Sequence, residues 1–235
     1  MKNLLKSLSN NQELFLVLSI AFGYNIYLSN SDLFYHIFTR AQTTWVRRNS
    51  TRGALDVSLH CLTILLIGWY ILKNRGYKID DLGLRFSWNQ IGYAFLLYYL
   101  LLISSHLIPS IIKVIDPFFY GVITNQITTK ETESLLSITL ILLLDPIQEE
   151  LFLNGYLFKR LENLNPRIII FISLAIRVSY HTYQGWNSLF FTLPFGLVVT
   201  LYYSRYKKLW PVILAHIINN FFVHFYYYTH NWSNN

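Results

Sequence analysis

Apolar runs close to 20 residues long recur along this chain, at about 12–28, 54–73, 90–110, 132–158, 167–182, 187–204 and 210–229. A helix needs about 20 apolar residues to cross the hydrocarbon core, and backbone groups in lipid must be satisfied within the chain. The runs therefore predict an all-α, polytopic transmembrane bundle of about seven to eight spans. They leave no room for a second unit, so residues 1–235 are expected to form a single integral membrane domain in contact with the lipid bilayer. Charged residues make up 13% of the chain, against about 25% in a soluble domain. Residues 31–46 are too polar for a plain span and are expected to form an interfacial helix or an eighth crossing. No small-residue cleavage site follows the first run, which is expected to stay in place as a span.

The net charge of +7 does not point to nucleic acid. The basic residues sit in short clusters between apolar runs, at 47–48, 73–78, 159–160 and 205–208, as juxtamembrane loops do. Seven spans would put the clusters at 73–78, 159–167 and 205–208 on one side, expected to be cytoplasmic, with Arg47, Arg48 and Arg52 opposite. Cys61 is the one cysteine, so there is no disulfide framework. Abundant Asn, Ile, Lys and Tyr suggest an AT-rich bacterial genome, hence a bacterial plasma membrane.

Several of the runs contain groups that lipid does not tolerate. "DPIQEELFLNGYLFKR" brings Asp145, Glu149 and Glu150 directly after an apolar stretch. A carboxylate at the centre of a membrane helix costs about 2.5–3.5 kcal/mol on insertion scales. Asp145 and Glu149 share a helix face, and Glu150 is rotated from them by about 100°. A helix that simply ended at the interface would leave these acids solvated, but the next span argues otherwise. Arg177 and His181 lie four apart on one face, and an arginine ten residues into an apolar run needs an acid partner, Glu150 or Asp145. In the last run His216, Asn220 and His224 follow at four-residue intervals, making one polar face on an apolar helix. Left unpaired in lipid, all these groups would cost more than about 10 kcal/mol, as much as a whole fold's stability. They are expected to converge on one polar cavity. There, a carboxylate with a histidine can activate water, while a histidine with an amide can stabilise an oxyanion. No serine or cysteine lies in a nucleophile context.

The pair Glu149-Glu150, His181 on the next core helix, and His216-x-x-x-Asn220 resemble, in order, the motifs of the CAAX protease and bacteriocin-processing family, also called CPBP or Abi. The likeness covers roughly residues 130–225, the expected catalytic core. It implies an intramembrane glutamic endopeptidase that hydrolyses a peptide bond near the membrane surface. Glu149 would activate water with His181, and His216 and Asn220 would form the oxyanion hole. Glu150, Arg177, Asp145 and Tyr180 would be supporting residues. The family's members include an enzyme that trims prenylated proteins and bacterial proteins tied to bacteriocin maturation and immunity. The implied partner is a protein or peptide substrate, membrane-associated or lipidated. No cofactor is expected; zinc at Glu149, His181 and His216 is the alternative, without an HExxH motif to favour it.

The common first motif is Glu-Glu-x-x-x-Arg, and here its last position is Asn154. The common second motif has Phe four residues before His, and here Arg177 stands there. The two departures are expected to compensate, as in a bacterial branch with Gly-Tyr-Leu after Glu-Glu and Arg before Tyr-His-x-Tyr-x-Gly. Two other functions stay open: a non-catalytic immunity or scaffold protein with the family fold, and a proton-coupled transporter, for which no internal repeat is found.

Overall fold

The computed structural model describes residues 5, 7–39, 54–117, 135–182 and 188–232. Among them there is no strand. Helix α1 (Asn10–Leu18) opens with a capping box in which Ser9 and Gln12 satisfy each other's backbone N–H. A π-helical turn, Ser19–Gly23, carries it into α2 (Tyr24–Thr39). Then come α3 (Ala54–Asn74), a 3-10 turn at Asp80–Leu82 and α4 (Asn89–Ile115). Helix α5 (Leu135–Glu150) passes through a second π turn, Leu151–Tyr156, into α6 (Leu157–Arg160). Helix α7 (Pro166–Tyr180) is followed by a π turn at Ser188–Thr192, then α8 (Leu193–Tyr206) and α9 (Trp210–Trp232).

Each expected apolar run coincides with one of these helices or helix pairs. Among the described residues three stretches, Asn10–Ser31, Leu55–Asn74 and Asn89–Ile115, are long and apolar enough to cross a membrane, and Trp210–Phe225 is a shorter apolar segment. Helices α5, α7 and α8 are shorter, at 16, 15 and 14 residues. Residues 31–39 extend α2 without a break instead of forming a separate interfacial helix. The rest of 31–46, with Arg47, Arg48 and Arg52, lies outside the described residues.

Helix α5 packs on α3 and α9, α9 on α4, α8 on α7 and α4, and α2 on α7. The core runs through the second π turn, where Leu151 to Tyr156 are all buried, and includes Leu72, Leu82, Val199, Leu209 and Val212. Without lipid, large apolar side chains such as Phe171, Phe225 and Trp88 face outward, as a membrane bundle requires.

The basic loops after α3, α6 and α8 meet at one end of the bundle. Glu13 joins Arg75 to the end of α6, and Leu209 N–H donates to Gly83 O at 2.8 Å. Gly83 has φ +71, and a Cβ there would lie 2.4 Å from Lys207 O. Glycine alone fits both the left-handed backbone and this close approach.

Candidate active site

Pro146 sits inside α5 and cannot donate a helical hydrogen bond. Three and four residues on, Glu149 and Glu150 close the α-helical part, and the chain widens at once into the Leu151–Tyr156 π turn. Inserted π turns occur often at functional sites because the extra residue re-aims side chains. Here Asn154, within the turn, places Nδ2 2.5 Å from Glu150 Oε2. Helix α7 starts cleanly, with Asn165 accepting from Arg167 N–H and Pro166 in the first turn. It brings Arg177 to the same centre and ends at His181, which leaves the helical conformation.

Arg177 Nη1 donates to Glu149 Oε2 at 2.8 Å, and Nη2 donates to Glu150 at 2.9 and 3.0 Å. His216 of α9 lies with Nδ1 2.7 Å from Glu150 Oε1. His181 Nε2 is 3.8 Å from Glu149 Oε1. Glu150 is fully buried, and Glu149 and Arg177 nearly so. Two buried carboxylates thus share one guanidinium. Ions sealed from water this way persist only with such partners.

The surroundings hold these groups in place. Phe195 of α8 packs edge-on to the His216 ring at 4.5 Å and lies under the Arg177 guanidinium at 5.4 Å. Gly196 leaves the room Arg177 needs, since a Cβ there would meet Arg177 Cδ at 2.8 Å. Phe22, from the first π turn, stacks on Tyr180 at 5.2 Å, and the Tyr180 and His181 rings are 4.5 Å apart. The amide of Gln148 donates to Ala21 O in the same π turn, at 3.0 Å. Ser29 Oγ donates to Tyr180 O at 2.6 Å, so α2 steadies the end of α7.

Of the residues singled out in the sequence, Glu149, Glu150, Arg177 and His216 meet directly, and His181 stands beside them. Arg177 takes Glu149 and Glu150 as partners; Asp145 instead faces Cys61 of α3, with Sγ 3.9 Å from Oδ1. Asn220 lies one turn beyond His216 on α9, half-buried, with no hydrogen bond to the cluster. Gln148, Phe22, Phe195 and Gly196 were not anticipated. Gln148 alone carried a signal, as an amide beside the acids in an apolar helix.

Ligand atoms of Glu149, Glu150 and His216 all lie within 4.8 Å of one another, close enough to hold a metal ion. This set differs from the zinc set expected from sequence, with Glu150 in place of His181. Its carboxylate oxygens already accept from Arg177, whose positive charge opposes a second cation there.

Residues 130–222 match a family model described as type II CAAX prenyl endopeptidase Rce1-like. Over this stretch the chain is similar to that family. Glu149, Glu150, Arg177, His181, His216 and Asn220 all fall within the matched stretch, whereas α1 to α4 lie before it. No curated protein and no solved structure matches the chain. The match and the apolar helices together indicate an integral membrane protein that is similar to a protease family over residues 130–222.

Proposed function

We propose that the chain is an intramembrane endopeptidase of the glutamic type, acting on a peptide bond near the membrane surface. The observation that carries this is the meeting of Glu149, Glu150, Arg177, His216 and His181, from three helices, in one buried centre.

Glu149 is the general base. One of its oxygens is engaged by Arg177, and the other faces His181 across 3.8 Å. A water resting on Glu149 Oε1 and His181 Nε2 attacks the scissile carbonyl, giving its proton to Glu149. The tetrahedral intermediate then collapses, the C–N bond breaks, and Glu149 returns the proton to the leaving amine. Nδ1 of His216 is committed to Glu150, so Nε2 is the nitrogen left to face substrate. It donates to the oxyanion when it carries a proton, and the Asn220 amide adds a second donor. Glu150, Arg177 and Asn154 hold this arrangement together, with Tyr180 packed behind His181 and Asp145 one turn away.

The chemistry needs no metal. The substrate is a protein or peptide presented at the bilayer, and the prenylated C-terminus acted on by the matched family is the first class to try. The test uses purified protein in lipid nanodiscs with fluorogenic peptides, prenylated and unprenylated. Cleavage by wild type and none by Glu149→Gln supports the reading. Equal release by both proteins would overturn it.

A further inference from the structure

A polar pocket of about 290 Å³ lies away from the acidic cluster, where α1 begins and α3 and α6 end. Its floor is Glu13, an acid in the first apolar run that is 1% exposed. Oε2 of Glu13 accepts from Arg75 Nε at 2.6 Å, and Oε1 accepts from the hydroxyls of Tyr77 at 2.9 Å and Tyr156 at 3.2 Å. The floor carboxylate is therefore neutralised and hydrogen-bonded. The other acids on the rim are also engaged: Asp81 accepts from Lys78 N–H, and Glu162 from Lys159 Nζ.

Arg160 is the cation with a donor to spare. Its side chain is 14% exposed and shares Glu13 with Arg75, as an ion pair 3.8 Å from Oε1. Its Nε donates to Asn10 O at 3.3 Å, while Nη2 is buried with no hydrogen-bond partner among the described residues. A buried donor left unmade destabilises the fold, more so when charged. The guanidinium fork matches an oxyanion that accepts more than one bond.

The depth of the pocket selects the ligand. The apolar windows Asn10–Ser31 and Leu55–Asn74 begin and end at its rim, so it opens at the boundary between hydrocarbon and water. The oxyanion most available at that level is the phosphate of a lipid headgroup, drawn to basic groups there. We propose that this pocket binds the phosphate of a membrane phospholipid headgroup through Arg160. The bound lipid would tie the first span to α6, the helix that continues the Glu149-Glu150 segment. The proposal stands whether or not the protein is a protease.

The test is thermal unfolding of the full chain in detergent with added dioctanoyl phosphatidylglycerol, dioctanoylglycerol or glycerol 3-phosphate. The phosphatidylglycerol is expected to raise Tm saturably in wild type and not in Arg160→Gln. A matching rise with glycerol 3-phosphate would support the phosphate site with a soluble source. No rise in wild type, an equal rise with dioctanoylglycerol, or an undiminished rise in Arg160→Gln would overturn the proposal. If Arg160→Gln does not fold, wild type is labelled with a phospholipid photoreactive in its headgroup. Labels within 75–81 and 159–162 support the site, and labels confined to other segments overturn it.

Discussion

Arg177 grips Glu150 through a single nitrogen, Nη2, at 2.9 and 3.0 Å from its two oxygens, and leaves Nη1 for Glu149 at 2.8 Å. Asn154 occupies the same Glu150 carboxylate from the π turn. The two positions at which this chain departs from the common motifs thus serve one group. Arg177→Phe alone should remove the partner of two buried acids, at a cost of about 3–5 kcal/mol. Adding Asn154→Arg should recover a large part of it, with a coupling of at least about 1 kcal/mol in a double-mutant cycle read by thermal unfolding. Additive losses would show that the two sites do not share Glu150.

Gly196→Ala gives a prediction of opposite sign to helix propensity. An exposed helical Gly→Ala change stabilises by about 1 kcal/mol. Here the new methyl would lie 2.8 Å from Arg177 Cδ and 2.9 Å from Leu174 Cδ2. Overpacking of that kind costs about 1–3 kcal/mol. The variant should melt below wild type and lose activity by more than its unfolded fraction explains. A higher Tm with full activity would mean that α8 moves away freely.

Glu13 lies outside the Rce1-like stretch, yet two tyrosines and Arg75 converge on it. Burial, then the Glu13 carboxylate, pushes the Tyr77 phenol up, so it remains a donor across the working pH range. Glu13→Gln should destabilise by about 1–3 kcal/mol, because Arg75 loses its charged acceptor. Urea or thermal unfolding in detergent checks this, and no change would mean that water replaces the carboxylate without loss.

Chelation separates the two uses of the Glu149, Glu150 and His216 group. With Arg177 on the carboxylates, dialysis against a strong chelator should leave cleavage rates unchanged, and added zinc should not raise them. Activity lost on chelation and restored by zinc would favour the metal reading instead.

The helices were legible because apolar run length reports span length directly. The need for an acid near Arg177 was legible for the same reason: a lone guanidinium in an apolar run must be paired. Which acid it takes was not, because spacing alone leaves Asp145 and Glu150 both open to a neighbouring helix. The π turns themselves leave no trace in composition, since widening a helix by one residue is decided by tertiary contacts such as Gln148 on Ala21 O. The role of Glu13 was not legible, because its partners lie 62, 64 and 143 residues away. Asn220 shares a helix face with His216 by spacing alone, and its donor role rests on a substrate reaching it.

The most direct measurement compares the protein termini of cells carrying wild type with those carrying Glu149→Gln at matched membrane levels. The account predicts new peptide ends, found only with wild type, in proteins held at the membrane. Identical termini in the two strains, with the variant folded and any phenotype intact, would contradict proteolysis and point to a non-catalytic scaffold.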